Sequence, residues 1–219
     1  NVIELINPGG PGASGVDFLR AMAVDPPKAW HDNFDIVGFD PRGTGNTIPV
    51  DCTDQPTSFT DLDPSPDTVA ERTALYDAAK KFAADCQRKN KAVLPFIDTI
   101  SAAKDIDAIR VALGEDTITY FGYSYGTLLG ATYAGLFPER VRAFVLDGAL
   151  DPSLPADDLV IEQAKGFESA LTAFFAYCSA DPGCDFTPDP GMDLGATFDK
   201  LMKRIDTEPL NASNDVRIV

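Results

Sequence analysis

The sequence TITYFGYSYGTLLG at residues 117–130 decides how this chain folds. Its first residues are rich in β-branched and aromatic side chains, which predicts a buried strand. Residues 127–137 are small or apolar and predict a buried helix, which Pro138 ends because proline cannot continue it. The segment Gly122-Tyr123-Ser124-Tyr125-Gly126 between the two elements therefore forms a sharp turn from strand to helix.

This turn has the pattern G-x-S-x-G, in which one serine stands between two glycines. A serine on so tight a bend projects its hydroxyl above the sheet, and the glycines let strand and helix approach each other. The following helix points its N-terminus at the same place, where its dipole favours developing negative charge. The pattern makes Ser124 the candidate nucleophile of an acyl transfer. The alternative is an ordinary strand-to-helix turn with a solvated serine.

A glycine-rich loop, Asn7-Pro8-Gly9-Gly10-Pro11-Gly12, directly follows the apolar run at residues 2–6. Acyl transfer at a serine of this kind needs two backbone N–H donors for the oxyanion. One donor belongs to the residue after the nucleophile, here Tyr125, and the other to a glycine-rich loop after an earlier strand. We assign this second donor to Gly10. The alternative is a plain proline and glycine turn.

These motifs resemble those of proline iminopeptidases and secreted bacterial tripeptidyl aminopeptidases, which are α/β-hydrolases. The glycine-rich loop is similar to the His-Gly-Gly-Pro-Gly loop of the iminopeptidases, with Pro8 in place of the histidine. The sequence FDIVGFDPRGTG at residues 34–45 resembles their next strand and its Asp-x-Arg-Gly turn. The Asn-Pro before the glycines, the Gly-Tyr-Ser-Tyr-Gly turn, residues 145–148 and the pair Asp151-Pro152 resemble the tripeptidyl aminopeptidases.

The resemblance extends over most of residues 1–190. It implies an α/β-hydrolase fold in which residues 1–150 form the N-terminal part of a parallel-sheet core. Residues 151–219 then begin a helical cap. It also implies a serine exopeptidase that releases short peptides, of the tripeptidyl type, from the free N-terminus of a peptide substrate.

Alternating strands and helices in the first 150 residues independently predict a parallel sheet. The second strand is apolar enough to be buried on both of its faces. Besides the strand before Ser124, strands are predicted at residues 2–6, 34–39 and 141–146. Besides the helix after Ser124, helices are predicted at residues 15–23, 68–89 and 101–113. A proline-, aspartate- and threonine-rich excursion covers residues 47–66, before a helix with an apolar stripe at Val69, Leu75, Ala79, Phe82 and Cys86.

The pattern changes after Asp151, where two helices are predicted at residues 159–178 and 194–205 and a last strand at 216–219. The first of these helices has apolar residues at helical spacing, which we expect to pack in a core. They are Val160, Ala164, Phe167, Leu171, Phe174 and Cys178. Two consecutive helices at this point fit the start of the cap.

The net charge of −16 over 219 residues argues against a nucleic-acid partner, because nothing basic is clustered to neutralise phosphates. It also argues against binding to anionic membrane surfaces. The stretch at residues 117–138 has no charged residue, but its glycines and hydroxyls make it a poor membrane span. A buried strand and helix explain that stretch better.

Four cysteines allow three disulfide pairings, of which Cys52–Cys86 and Cys178–Cys184 is preferred because each pair flanks a turn-rich loop. The alternative is four reduced cysteines in a cytosolic enzyme. A chain with one histidine and no C-x-x-C pair cannot complete a zinc site of the usual kind, so we expect no metal and no other cofactor. The resemblance implies a secreted or cell-envelope protein.

The sequence has no histidine after Ser124 that could act as the catalytic base. A triad on this fold runs Ser, then Asp or Glu, then His along the chain, whereas the only histidine, His31, precedes Ser124. We interpret His31 as a loop histidine and not as the base. Asp147 and Asp151 follow the strand after Ser124, where some hydrolases of this fold carry the acid.

The resembling families instead take acid and base from strands after the cap. We therefore expect both residues in a C-terminal remainder outside this chain, which by itself is incomplete. Two alternatives stay open at this point. One is a carboxylesterase or lipase of the same fold, and the other is a non-catalytic fragment that lacks the triad Asp and His.

Overall fold

The computed structural model describes residues 2–24, 27–52, 62–208, 210–211 and 217–218. The chain forms two compact units, Asn1–Ser153 and Leu154–Val219. The excursion predicted at residues 47–66 lies partly outside the described residues, and so do the two ends of the strand predicted at 216–219.

The first unit is built on a parallel four-stranded sheet. Its strands are β1 (Val2–Asn7), β2 (Phe34–Gly38), β3 (Ile118–Tyr123) and β4 (Val141–Asp147), in the order β2-β1-β3-β4. Leu5 of β1 pairs with Val37 on one side and with Tyr120 on the other. This sheet confirms the predicted α/β fold class, and it places β1 and β3 side by side in its interior.

Five α-helices lie in the described residues of this unit, and side-chain caps fix where three of them begin. Ser14, Thr68 and Asp98 each accept a backbone N–H of the first turn that follows them, which satisfies a donor with no partner inside the helix. The helices are α1 (Gly15–Met22), α2 (Lys28–Asn33), α3 (Val69–Lys89), α4 (Thr99–Ala112) and α5 (Tyr125–Leu136).

The core of the first unit lies between the sheet and the helices α4 and α5. Its fully buried large side chains come from both strands and helices, and each contributes about 1.5–3 kcal/mol through its removal from water. They include Leu5, Ile106, Tyr120, Leu129 and Tyr133. The segment around Ser124 is therefore carried by the best-packed part of the unit.

Two sequence-based expectations in this unit were wrong in detail. β2 is half-buried, because it lies at the edge of the sheet in the described part of the chain. The helix α3 forms where it was predicted, and none of its side chains, all of which are described, is buried. His31 lies in α2 and not in a loop, since Pro27 at the cap position starts a short helix there.

The second unit contains the helices α6 (Ala156–Ala180) and α7 (Leu194–Thr207) and a two-stranded antiparallel ribbon, β5 (Leu210–Asn211) with β6 (Arg217–Ile218). Phe175 of α6 contacts Phe198 of α7 and Phe186 of the connecting segment, with ring centroids 5.8 and 6.3 Å apart. These contacts hold the two helices together.

Most of the apolar stripe of α6 does not pack in a core as expected. Val160 and Phe167 are 66% and 67% exposed, and of the residues in this helix only Cys178 is buried among the described side chains. Only the end of the stripe is packed, where Phe174 contacts Phe186 with ring centroids 6.0 Å apart and Cys178 is buried. Helical spacing had identified an apolar face but could not say whether anything in this chain covers it.

The cysteines are joined as Cys52–Cys86 and Cys178–Cys184, the pairing that the flanking loops favour. The first bond attaches the start of the excursion to α3, and the second closes a short loop after α6. Among the described residues, no helix combines the length and apolar character that crossing a bilayer requires.

Both disulfides should be present in the native protein. Intact-mass analysis after alkylation under non-reducing conditions should detect no free thiol, because the four cysteines form two bonds. Alkylation after reduction provides the positive control and should modify all four. Four alkylated cysteines in the unreduced native protein would contradict both the pairing and an oxidising compartment.

Candidate active site

Ser124 occupies the junction between β3 and α5 with an unusual backbone conformation. Its φ is +50° and its ψ is −122°, in a region that residues other than glycine rarely adopt. Holding a residue there costs about 1–3 kcal/mol, so the surrounding structure must enforce it. This strained position agrees with the sharp turn that the G-x-S-x-G pattern predicts.

Hydrogen bonds to both sides of Ser124 enforce its conformation. Its N–H donates to the carbonyl oxygen of Asp147 at the end of β4, at 2.9 Å. Its carbonyl oxygen accepts from the hydroxyl of Thr127 at 2.6 Å, and that hydroxyl in turn accepts from the N–H of Leu150 at 2.9 Å. Thr127 is fully buried. Its hydroxyl thus attaches the turn to the segment that follows β4.

Close packing of strand against helix explains the glycine before Ser124. A Cβ atom at Gly122 would lie 2.5 Å from the carbonyl oxygen of Gly126, which is too close for any side chain. That oxygen accepts a hydrogen bond of 2.8 Å from the hydroxyl of Tyr120. Burial raises the pKa of Tyr120 well above its usual range, so this hydroxyl stays protonated and remains a donor.

The glycine-rich loop lies directly against the turn, as acyl-transfer chemistry requires. Gly9 has a φ of +90°, and a Cβ atom there would lie 2.4 Å from the carbonyl oxygen of Tyr123 and 2.8 Å from the nitrogen of Tyr125. The N–H of Gly9 donates to Oδ1 of Asn7 at 2.9 Å. The structure therefore brings together the two segments that carry the assigned oxyanion donors, Gly10 and Tyr125.

A third motif, the Asp-x-Arg-Gly turn, supports the loop from the other side. Oδ1 of Asp40 accepts from the hydroxyl of Ser14 at 2.6 Å and Oδ2 accepts from the N–H of Asn46 at 3.0 Å. Burial raises the pKa of Asp40, but these hydrogen bonds outweigh it and hold the pKa below its usual value. Because Ser14 caps α1 just after the loop, Asp40 fixes where the loop ends.

Arg42 of the same turn forms a bidentate ion pair with Asp105 of α4, with nitrogen to oxygen distances of 2.7 and 2.6 Å. It also donates to the carbonyl oxygen of Phe96 at 2.9 Å. Planar two-point pairing of this kind fixes geometry as well as charge. The pair attaches the turn after β2 to α4.

His31 lies at the amino ends of the parallel strands, whereas Ser124 lies at their carboxyl ends. It precedes β2, whose first residue pairs with Val2, whereas Ser124 follows the carboxyl end of β3, where Gly122 pairs with Asn7. The length of the strand from Val2 to Asn7 separates these two ends of the sheet by about 16 Å. The His31 side chain is also 75% exposed, and its ring nitrogen Nδ1 lies 3.4 Å from Oδ1 of the neighbouring Asp32. His31 is not the base for Ser124.

Sequence reasoning missed three residues of this site: Asn7, Asp40 and Thr127. Each acts through a buried or partly buried hydrogen bond to a backbone segment. Asn7 and Asp40 stand inside motifs that were recognised, so the motif was the available signal, although it did not reveal their partners. Thr127 carried no signal, because its hydroxyl bonds depend on where β4 ends.

A family model described as the α/β hydrolase fold matches residues 5–209. The chain therefore belongs to the α/β-hydrolase fold family. Serine protease Hip1 of Mycobacterium tuberculosis (strain ATCC 25618 / H37Rv) is 43% identical over 190 residues, which cover 85% of this chain and 36% of that protein.

Two further relatives carry different functional names. The tripeptidyl aminopeptidase of Streptomyces lividans is 41% identical over 155 residues, which cover 68% of this chain and 28% of that protein. Carboxylesterase B of Mycobacterium tuberculosis (strain ATCC 25618 / H37Rv) is 44% identical over 192 residues, which cover 84% of this chain and 36% of that protein. The chain thus spans about a third of the length of these relatives, and the resemblance to the aminopeptidases is confirmed.

Thr127→Val should destabilise the intact protein that carries this chain by about 1–3 kcal/mol, because it leaves the partly buried N–H of Leu150 without its acceptor. Urea denaturation measures this loss. Thr132→Val is the matched control, since that hydroxyl bonds only to the carbonyl of Leu128 within the same helix. Thr127→Ser keeps the hydroxyl and should retain most of the stability. Equal losses for the two valine variants would contradict the assigned role.

Proposed function

We propose that this chain carries the nucleophile and the oxyanion hole of a serine peptidase that releases short peptides from a free N-terminus. The observation that carries the proposal is the strained Ser124 packed against the glycine-rich loop, with Gly9 touching the backbone of Tyr123 and Tyr125. The relatives named serine protease and tripeptidyl aminopeptidase support a peptidase and an exopeptidase, respectively.

In the proposed reaction, Oγ of Ser124 attacks the carbonyl carbon of the scissile peptide bond while its proton passes to a histidine. The carbonyl oxygen becomes an oxyanion and accepts hydrogen bonds from the N–H groups of Gly10 and Tyr125. Collapse of this intermediate breaks the carbon–nitrogen bond, the histidine returns the proton to the leaving amine, and an acyl-enzyme remains. Water then releases the short peptide by the same route.

The histidine and the acid of this triad belong, in our proposal, to the remainder of the polypeptide. The only histidine of the chain lies at the far edge of the sheet from Ser124. The relatives are about three times as long as the matched region, which leaves ample sequence for the missing groups. Asp147 holds the N–H of Ser124 through its backbone and has no assigned role for its carboxylate.

The proposed compartment is extracytoplasmic, secreted or in the cell envelope. Two disulfides support it, because such bonds persist in oxidising environments and are rare in the bacterial cytoplasm. The proposed partner is a peptide with a free N-terminus. The net charge of −16 disfavours a nucleic acid.

The second candidate function is a carboxylesterase, which the relative named carboxylesterase B favours at 44% identity. The same nucleophile and oxyanion hole would serve an ester. Peptidyl amides assayed against acyl esters of matched size distinguish the two functions. A peptidase should have the higher kcat/KM on tripeptidyl amides with a free amino group, and should lose it when that amine is acetylated.

Ser124→Ala should lower kcat of the intact enzyme by about 10⁴–10⁶-fold, because it removes the attacking oxygen. Steady-state kinetics on a peptidyl amide, with circular dichroism to check the fold, measures the effect. Ser179→Ala is the control, since that hydroxyl is exposed on α6 and bonds only within its helix. Near-normal turnover by Ser124→Ala would refute the assignment of the nucleophile.

Residues 1–219 alone should not turn over peptides, because the single histidine of the sequence, His31, lies at the other end of the strands from Ser124. Supplying the C-terminal polypeptide, in one chain or as a separate partner, should restore both turnover and labelling by a fluorophosphonate. A normal rate from residues 1–219 alone, lost on His31→Ala, would show that the assigned triad is wrong. Failure of the completed protein to label would instead favour a non-catalytic role.

A further inference from the structure

Asn7 is a buried polar residue at the end of β1 that the proposed reaction does not use. It is 1% exposed and pairs in register with Gly122 of β3, two residues before Ser124. Its Oδ1 accepts the N–H of Gly9 at 2.9 Å in a buried hydrogen bond. The side chain of Asn7 therefore binds the glycine-rich loop at Gly9, the residue just before Gly10.

The same residue also contacts the first turn of α5. A Cβ atom at Gly126 would lie 2.5 Å from the carbonyl oxygen of Asn7 and 3.0 Å from its Oδ1. Gly126 directly follows Tyr125, whose nitrogen lies beside Gly9. Asn7 thus lies between the two backbone segments that carry the proposed oxyanion donors, and it contacts both of them.

Asn7 brings both a gain and a cost in stability to this position. The N–H of Gly9 fixes which side of the amide is the oxygen, and Nδ2 then has no acceptor among the described protein atoms. Burying a donor without an acceptor opposes folding, so the side chain loses at Nδ2 stability that it gains at Oδ1, and a leucine would move that cost to the N–H of Gly9. The oxygen of the side chain, and not its burial, distinguishes Asn7 from a leucine here.

We propose that Asn7 is a positioning residue that sets the spacing between the N–H groups of Gly10 and Tyr125, and thereby the geometry of the oxyanion hole. This inference rests on the proposed function. Donors placed by rigid packing stabilise the charge that develops in the transition state and add little to ground-state binding. Asn7 should therefore act on kcat and on the binding of tetrahedral adducts, and leave KM nearly unchanged.

Two substitutions of similar shape separate positioning from stability. Asn7→Leu keeps the volume and removes the acceptor for the N–H of Gly9, whereas Asn7→Asp keeps an oxygen in that place and buries a carboxyl group. We expect Asn7→Leu to be at least as stable as Asn7→Asp and yet slower. A merely structural role requires the opposite, with activity following stability across the two variants.

The experiment uses the intact enzyme and five quantities for each variant: Tm, kcat and KM on a peptidyl amide, the inhibition constant of the matching peptidyl boronate, and that of the product peptide. Asn7→Leu should lower kcat by about 10–100-fold and weaken boronate binding by a similar factor. KM and product binding should change less than about twofold. Asn7→Asp, where it folds, should recover most of kcat.

Asn90→Ala is the matched control, because Asn90 also holds a backbone segment: its side chain bonds both the N–H and the carbonyl of Asp51, which belongs to neither segment that carries the assigned oxyanion donors. It should lower Tm without changing kcat or boronate binding. Wild-type kcat and boronate affinity in Asn7→Leu would overturn the inference, and so would a loss of kcat in Asn90→Ala equal to that in Asn7→Leu.

A fluorophosphonate reaction on the wild-type enzyme distinguishes this inference from the function on which it rests. A Ser124 adduct in the wild type, together with an unaffected Asn7→Leu, means that the positioning role fails while the proposed function stands. Absence of a Ser124 adduct means that the proposed function fails and the inference with it.

Discussion

The backbone of Ser124 is the constraint on which the rest of this structure depends. A residue other than glycine at a φ of +50° is unfavourable, and it persists only because both of its peptide groups are held. Asp147 holds the N–H and Thr127 holds the carbonyl. The strain is offset by the packing of β3 and α5, which contribute the fully buried Tyr120, Leu129 and Tyr133 to the core. A serine hydroxyl is thereby presented at the carboxyl edge of a rigid sheet.

The register of the parallel sheet brings the remaining parts of the site to that edge. β1 and β3 end together, with Asn7 opposite Gly122, so the loop after β1 necessarily meets the turn after β3. The residues involved are more than 100 positions apart in sequence, yet Gly9 approaches the backbone of Tyr123 closely enough to exclude any side chain. Asn7 and Asp40 then fix the two ends of the loop. Catalysis by oriented backbone donors needs this rigidity, because the donors must be in place before charge develops.

Local sequence patterns predicted the parallel sheet, the turn at Ser124 and the glycine-rich loop, since each depends on residues close together in the chain. The roles of Asn7, Asp40 and Thr127 depend on partners brought together by folding, and no local pattern reports such contacts. The same limit explains the error in α6. Helical periodicity shows that Phe167 lies on an apolar face, but whether that face is covered depends on what packs against it. The pairing of β5 with β6, two residues each, is too short for any pattern to show.

The central claim is that the loop after β1 and the turn after β3 form one oxyanion hole around Ser124. A crystal structure of the intact enzyme with a peptidyl boronate tests it most directly. The account predicts boron bonded to Oγ of Ser124, with one boronate oxygen about 2.7–3.1 Å from the nitrogens of both Gly10 and Tyr125. Boron bonded to another residue, or an oxygen directed away from both nitrogens, would contradict it.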